Sequence, residues 1–351
     1  MWASRAWCAL CALLLCLIPL GAAADELLRY ETSLYGPERL RLFALTRIFD
    51  GSPDDPDVRL ALRRDLERQG HYQDGAGPRI LRHGVSVYPV LGYDDNINGG
   101  VLNDRFRFSG LVFEADPTIR AKAGLVAGGG FGTQTRVAIA RGTYVDLTGA
   151  ADFAYSPTHQ ISRSQAEIAA CLRSNLTGWT FVDLCQRFED TERELGRSTR
   201  RVTSVALSSL HQTGHAYHEA QVQLERAYYT TIDQDAVTLG LRSVIGRVLP
   251  SVSLSLAGPV PDEIAYRSRV NVGFQMPHDG RLYGIYAWRQ YAEGGMFLGT
   301  EREDRTFGLG VSADLQRNIT VSLTYSNNRS TAAFFNYSQL EMQVRFREFR
   351  W

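Results

Sequence analysis

From Gly84 to Trp351 the chain alternates apolar and polar residues with a period of two. The alternating stretches run for about 10 to 14 residues, where strands of soluble proteins average about 5 to 6. Between Ile264 and Met276, the residues Ile264, Tyr266, Val270, Val272, Phe274 and Met276 fall on one face, and Arg267, Arg269, Asn271 and Gln275 on the other. Phe307, Leu309, Val311, Ala313 and Leu315 oppose Thr306, Ser312, Asp314 and Gln316 in the same way. Ile319, Val321, Leu323 and Tyr325 oppose Thr320, Ser322 and Thr324. A soluble sandwich also alternates, so the period alone leaves two architectures. Strand length, short turns such as His278-Asp279-Gly280 set against an expected long excursion at Ile161 to Arg200, and aromatics near strand ends (Tyr228-Tyr229, Tyr286 with Trp288, Tyr325) select a transmembrane barrel.

Candidate strands lie near 84–95, 105–115, 118–128, 132–141 and 143–156, with the remainder between 199 and 351. The expected fold is therefore all-β: a transmembrane antiparallel β-barrel of about 14 strands with a short N-terminal helical periplasmic segment. The glycine-rich Gly124 to Gly132 region reads as one strand or as a hairpin. In the last segment Leu340, Met342, Val344 and Phe346 share a face, but Phe349 and Trp351 have the opposite parity. The terminal strand must contain a bulge or leave the sheet after Phe346.

Ahead of the strands, Met1 to Ala24 reads as a cleaved signal peptide. Arg5 supplies the positive start, Cys8 to Leu20 the apolar stretch, and Ala22-Ala23-Ala24 the small-residue cleavage site. The apolar run is shorter than the about 20 residues that span a bilayer. None of Cys8, Cys11 and Cys16 follows the small residues of a lipid-attachment signal. Residues 25–83 form the helical segment, with Leu40, Phe43, Ala44 and Ile48 on one helix after Pro37 and Val58, Leu60, Leu62 and Leu66 on a second. Two such helices cannot form a core alone, so they are a periplasmic docking element, a plug, or the remnant of a repeat domain. Residues 84–351 are the barrel, which places the protein in the bacterial outer membrane.

After cleavage only Cys171 and Cys185 remain, an even pair in an oxidising compartment and most simply a disulfide. The sequence reads it as the staple of an extracellular loop, Ile161 to Arg200, which either faces solvent or folds inward as a constriction. The 38 basic and 38 acidic residues balance, so nothing favours a nucleic-acid partner. Lys122 is the only lysine, and arginine keeps its charge in a confined lumen. No cofactor or metal site is expected. There is no Gly-x-Ser-x-Gly elbow, and His211, His215 and His218 lack a matching carboxylate motif, so the chain is not read as an enzyme.

The candidate functional turn is Tyr93, Asp94, Asp95, Asn96 and Asn98 at the end of the first strand. Its Asx residues suit a polar turn. They also offer oxygen ligands for a hard cation, without the glycine and distal glutamate of an EF-hand loop. With Arg141-Gly142-Thr143-Tyr144-Val145-Asp146-Leu147 and Ala154-Tyr155-Ser156-Pro157-Thr158-His159, this turn resembles the C-terminal barrel domain of the surface lipoprotein assembly modifier family, from about residue 84 to the C-terminus. The resemblance implies a barrel that assists translocation or surface display of a protein or lipoprotein. Its partners would be outer-membrane lipid, the barrel-insertion machinery and an exported cargo. A porin-type solute channel and a structural or adhesive surface barrel are the alternatives.

Overall fold

The computed structural model describes residues 26–75, 77–316, 319–346 and 349–350; the expected signal peptide, Met1 to Ala24, and Trp351 lie outside them. Three helices come first: α1 (Glu26–Ser33), α2 (Glu38–Gly51) and α3 (Pro56–Arg68). The Asp55 carboxylate caps α3 by accepting the amides of Asp57 and Val58 at 2.8 and 3.2 Å, and Pro56 supplies a preset first turn. Arg41 clamps α2 to α3 through two hydrogen bonds to Asp65, at 2.5 and 2.9 Å.

The strands are β1 (Arg79–Asp94), β2 (Arg105–Phe108), β3 (Leu111–Glu114), β4 (Gly124–Ala140), β5 (Thr143–Ser156), β6 (Ile161–Thr177), β7 (Thr180–Arg193) and β8 (Gly196–Thr213). They continue as β9 (Ala216–Tyr229), β10 (Asp233–Val244), β11 (Leu249–Ala257), β12 (Ala265–His278), β13 (Arg281–Phe297), β14 (Thr300–Gln316), β15 (Ile319–Ser330), β16 (Tyr337–Phe346) and β17 (Phe349–Arg350). From β4 to β16 each strand pairs antiparallel with the next, and β1 closes the ring between β4 and the β16–β17 pair. Counting β16 and β17 as halves of one terminal strand gives a closed barrel of 14 strands. Closure leaves no free edge. β2 and β3 form a separate hairpin.

The expected count was right by compensation. Residues 105–115 form the β2–β3 hairpin outside the barrel wall, and the two segments expected at 118–128 and 132–141 are replaced by the single strand β4, which starts only at Gly124 and runs to Ala140. In exchange, the segment expected to be a long extracellular loop, Ile161 to Arg200, is β6, β7 and the start of β8. The parity switch at the C-terminus shows as a register offset of one residue. Val87 pairs with Phe349 but Val90 pairs with Arg345, so the terminal strand spends one extra residue between the two contacts.

One end of the barrel carries tight turns, such as Arg141-Gly142 and Gly178-Trp179, together with the helices. The other end carries the longest connection, residues 95–123 between β1 and β4. That asymmetry makes the helical end periplasmic and the other extracellular. Outward positions alternate with inward ones and form an apolar belt, including Leu125, Phe131, Ile168, Leu184, Leu224, Leu239, Ile285, Leu309 and Leu323, all exposed on the outer surface. No helix among the described residues is long and apolar enough to cross a membrane, so the strands do the crossing. This is an outer-membrane barrel.

Parity corrects the expected girdle. Tyr228 and Tyr325 face outward, but Tyr229, Tyr286 and Trp288 point into the lumen. A bulge between Tyr266 and Ser268 likewise turns Tyr266 inward, against the strict alternation expected there. The Tyr286 and Trp288 rings lie flat across the glycines opposite them on β14. A Cβ on Gly308 would fall 1.9 Å from the indole, and one on Gly310 2.1 Å from the phenol. Glycine is required there by close approach.

Candidate functional site

The helices sit inside the periplasmic mouth. Leu40, Phe43, Ala44 and Ile48 of α2 and Val58 of α3 are buried against Phe181, Leu210, Tyr217, Val244 and Leu249 of the inner wall. Phe43 meets Trp179 and Tyr217 edge to face, with ring centroids 4.9 and 6.0 Å away. Of the three roles open in the sequence, this geometry is that of a plug. Of the α3 apolar set, Val58 is buried and Leu60 is exposed, so α2 carries most of the docking face.

Charge fixes the plug as well as packing. Arg39 forks onto Asp183 of β7 at 3.0 and 2.5 Å, and its guanidinium also stacks over Phe181 at 4.6 Å. Glu38 accepts a 2.8 Å ion pair from Arg136 of β4. Arg136 in turn holds Asp146 of β5 at 2.6 and 2.9 Å and the Arg68 carbonyl at 3.0 Å. Burial alone would raise the Glu38 carboxyl, but Arg136 outweighs it and holds Glu38 below the ordinary glutamate range.

Above the plug the lumen holds adjoining cavities. A cavity of about 460 Å³ runs from Glu38 and Arg39 past Arg173, Asp183, Arg200 and Glu219. It shares Gln134 and Thr148 with a cavity of about 1130 Å³ along β1, β4, β5 and β16, and Arg200 and Glu225 with one of about 660 Å³ lined by Tyr266, Arg269 and Asn271. Arginines and carboxylates alternate along its wall, pairing between neighbouring strands, with Arg200 between Glu189 and Glu225 at 3.3 Å each and Arg187 3.3 Å from Glu167. The Cys171–Cys185 disulfide is present, but it is no loop staple. It joins directly paired positions of β6 and β7 and faces the first of these cavities, two residues from the paired Arg173 and Asp183.

At the extracellular end the 95–123 connection folds inward. Ile97 is fully buried among Val90, Val126, Ala154 and Ile161, an apolar cluster on the inner wall of β1 and β4 to β6. The predicted turn is what ties it down. Asp94, 1% exposed, accepts the Asn96 amide at 2.8 Å and bonds to Arg163 of β6, with Arg193 of β7 3.7 Å away. Asp95 accepts the Leu340 amide of β16 at 2.7 Å. Asn98 donates to the Arg120 carbonyl at 2.8 Å and accepts the Lys122 amide at 2.9 Å, and its own carbonyl takes the Leu195 amide at 2.9 Å. Asn96 reaches the Gly100 carbonyl at 2.8 Å, and Tyr93 stands on the outer face beside Asp95. The turn thus brings β1, β6, β7, β16 and the loop together at one point.

Sequence reasoning picked out the turn but missed its cationic partners, Arg163 and Arg193, and the plug anchors Glu38, Arg39, Arg136 and Asp183. No described group of three or more His, Cys, Asp or Glu side chains could hold a metal ion, and oxygens of Asp94, Asp95 and Asn98 are taken up by amides and arginines.

No family model matches this chain, and no curated protein matches it in sequence. Solved structures do. The chain is similar to Pseudomonas aeruginosa OccK2 (OpdF) in complex with glucuronate, at 8% identity and a TM-score of 0.40 over 75% of this chain and 97% of that one. It is similar to the P. aeruginosa outer-membrane protein OpdK at 9% identity and TM-score 0.41, over 78% of this chain and 100% of that one. A BenF-like porin from Pseudomonas fluorescens Pf-5 matches at 7% and 0.40, over 76% and 97%. The resemblance to surface lipoprotein assembly modifiers is therefore corrected, because no such family matches and the barrels found are porins. The motif that prompted it has a local explanation: its carboxylates and amides tether an inward-folded first loop.

Proposed function

We propose that this barrel is a porin-type channel for small polar solutes. The observation that carries the reading is the set of adjoining lumenal cavities whose wall is lined by paired arginines and carboxylates, held between a periplasmic plug and an inward-folded extracellular loop. Charged side chains lining a narrow lumen select small polar solutes. Both ends are narrowed by the chain itself, residues 26–68 by packing inside the mouth as a plug, which argues against the expected role as conduit for a protein or lipoprotein cargo.

Single-channel recording in planar bilayers tests this. The full mature chain is expected to give small discrete steps, and a chain beginning after Arg68 larger ones. Absence of any conductance from either form, with both chains folded by gel shift, overturns the channel reading.

A further inference from the structure

On the outer wall, at the extracellular edge of the apolar belt, three arginines gather on adjacent strands. Arg305 of β14 and Arg329 of β15 are direct register partners. Arg305 shares its face with the exposed Phe307 and Leu309, and Arg329 with Tyr325 and Leu323, so both project outward. Arg289 of β13 pairs with Phe307, one step diagonal from Arg305, and is exposed on the same face. Directly opposed like charges destabilise a strand pair, and their side chains start only about 5 Å apart. The carboxylates nearby neutralise only one of the three. Arg305 has Glu303 at 3.5 Å on the side away from the membrane, while Glu293 is engaged by Arg267 at 3.0 Å and by the Tyr291 hydroxyl at 2.7 Å.

A second basic position on the same belt edge has been handled differently. Arg226 of β9 also faces outward near an aromatic, Tyr228, but Asp233 and Asp235 of β10 lie 3.4 and 3.7 Å from its guanidinium. On the Arg289, Arg305 and Arg329 face three guanidiniums share one carboxylate, Glu303 beside Arg305, where Arg226 alone has two, and the face sits immediately above Phe307, Leu309, Tyr325 and Leu323. An anion placed there would have its acyl chains on the belt and its charge among the guanidiniums.

We infer that Arg289, Arg305 and Arg329 form a docking site for the phosphate of an outer-leaflet phosphorylated glycolipid. The forked guanidinium geometry matches phosphate oxygens, and the flat apolar strip of β13 to β15 beneath it accepts the acyl chains. A free inorganic phosphate would gain only the charge contacts.

The test uses the full mature barrel in detergent with diphosphorylated lipid A as probe, and reads bound lipid by native mass spectrometry and the gel-shift unfolding temperature. The Arg305→Gln/Arg329→Gln double variant is expected to bind lipid A about tenfold more weakly and to lose the lipid-dependent rise in unfolding temperature. Arg226→Gln is expected to bind as the parent does. Dephosphorylated lipid A should bind the parent as weakly as diphosphorylated lipid A binds the double variant, and excess inorganic phosphate should not displace lipid A. Unchanged lipid A binding by a folded double variant overturns the site, as does an equal loss in Arg226→Gln, equal binding of the dephosphorylated lipid, or full displacement by phosphate alone. If the double variant fails to fold, Arg329→Gln alone, which removes one of two opposed like charges, decides by the same binding measurement.

Discussion

Arg39, carried on a helix inside the barrel mouth, donates two hydrogen bonds to Asp183 on the wall strand β7, 144 positions further along the chain. Both side chains are nearly buried, at 8% and 14% exposure. Removing one partner of such a pair leaves a charge without water or counterion and costs about 3 kcal/mol. Arg39→Ala is expected to release the plug while leaving the barrel closed. Hydrogen exchange over residues 26–68 should rise and channel conductance with it, and the gel-shift unfolding temperature of the barrel should change little. Unchanged exchange over the helices would mean that the apolar contacts of Phe43 and Leu40 alone retain the plug.

The second anchor is sensitive to pH. Glu38 is buried, which opposes its charge, but Arg136 holds its carboxyl below the ordinary value of 4.5. A depressed carboxyl stabilises the docked state fully above the ordinary value and loses that contribution as pH falls through the depressed one. Conductance is therefore expected to stay level from neutral pH to about 4.5 and to rise below it. Glu38→Gln keeps the shape and removes the charge, so its conductance should be higher at neutral pH and its acid rise flatter. An acid rise identical in the two proteins would assign the titration to another group.

What was legible in the sequence follows from the solvent each residue meets. Outward positions must be apolar wherever lipid lies, so β12, β14 and β15 stand out as alternating runs. β6 was hidden because its outward positions include Ser162, Ser164, Ala166 and Ala170, too small and polar to mark a face, while two cysteines suggested a stapled loop. Tyr286 and Trp288 were misplaced because an aromatic residue suits both a lipid interface and a lumen over glycine. At the site the turn was visible as a local Asx pattern. Its partners were not, since Arg163 lies 69 residues from Asp94 and Arg193 97 from Asn96, and only barrel closure brings them together.

That tether makes its own prediction. Asp94→Asn keeps the turn bond to the Asn96 amide but weakens the attraction to Arg163 and Arg193. The inward loop is expected to loosen, so that trypsin cuts at Arg105, Arg107 or Lys122 faster than in the parent while the barrel fragment stays intact. Channel recordings should become noisier. Equal protease resistance would mean that the Asn98 bonds and the buried Ile97 hold the loop without help from the carboxylate.

The lumenal disulfide closes a short segment, with Cys171 and Cys185 14 residues apart. Removing that constraint is expected to cost about 3 kcal/mol, acting through the unfolded chain. Cys171→Ser/Cys185→Ser should still assemble, because the β6–β7 pairing is continuous on both sides of the bridge. Its gel-shift unfolding temperature should fall. The same fall on reduction of the parent, and none on reduction of the double variant, would assign the effect to the bridge itself.

The flat stacking of Trp288 on Gly308 offers a test of the inner wall that does not depend on charge. A methyl at position 308 would lie 1.9 Å from the indole, so Gly308→Ala must push the ring into the lumen. Such overpacking costs about 1 to 3 kcal/mol. The expected result is a lower gel-shift unfolding temperature and altered tryptophan fluorescence. The coupling can be isolated. In a Trp288→Leu background the same Gly308→Ala change should cost much less, because the smaller side chain does not cover the glycine. Equal costs in both backgrounds would show that Gly308 is needed for its own backbone rather than for the ring above it.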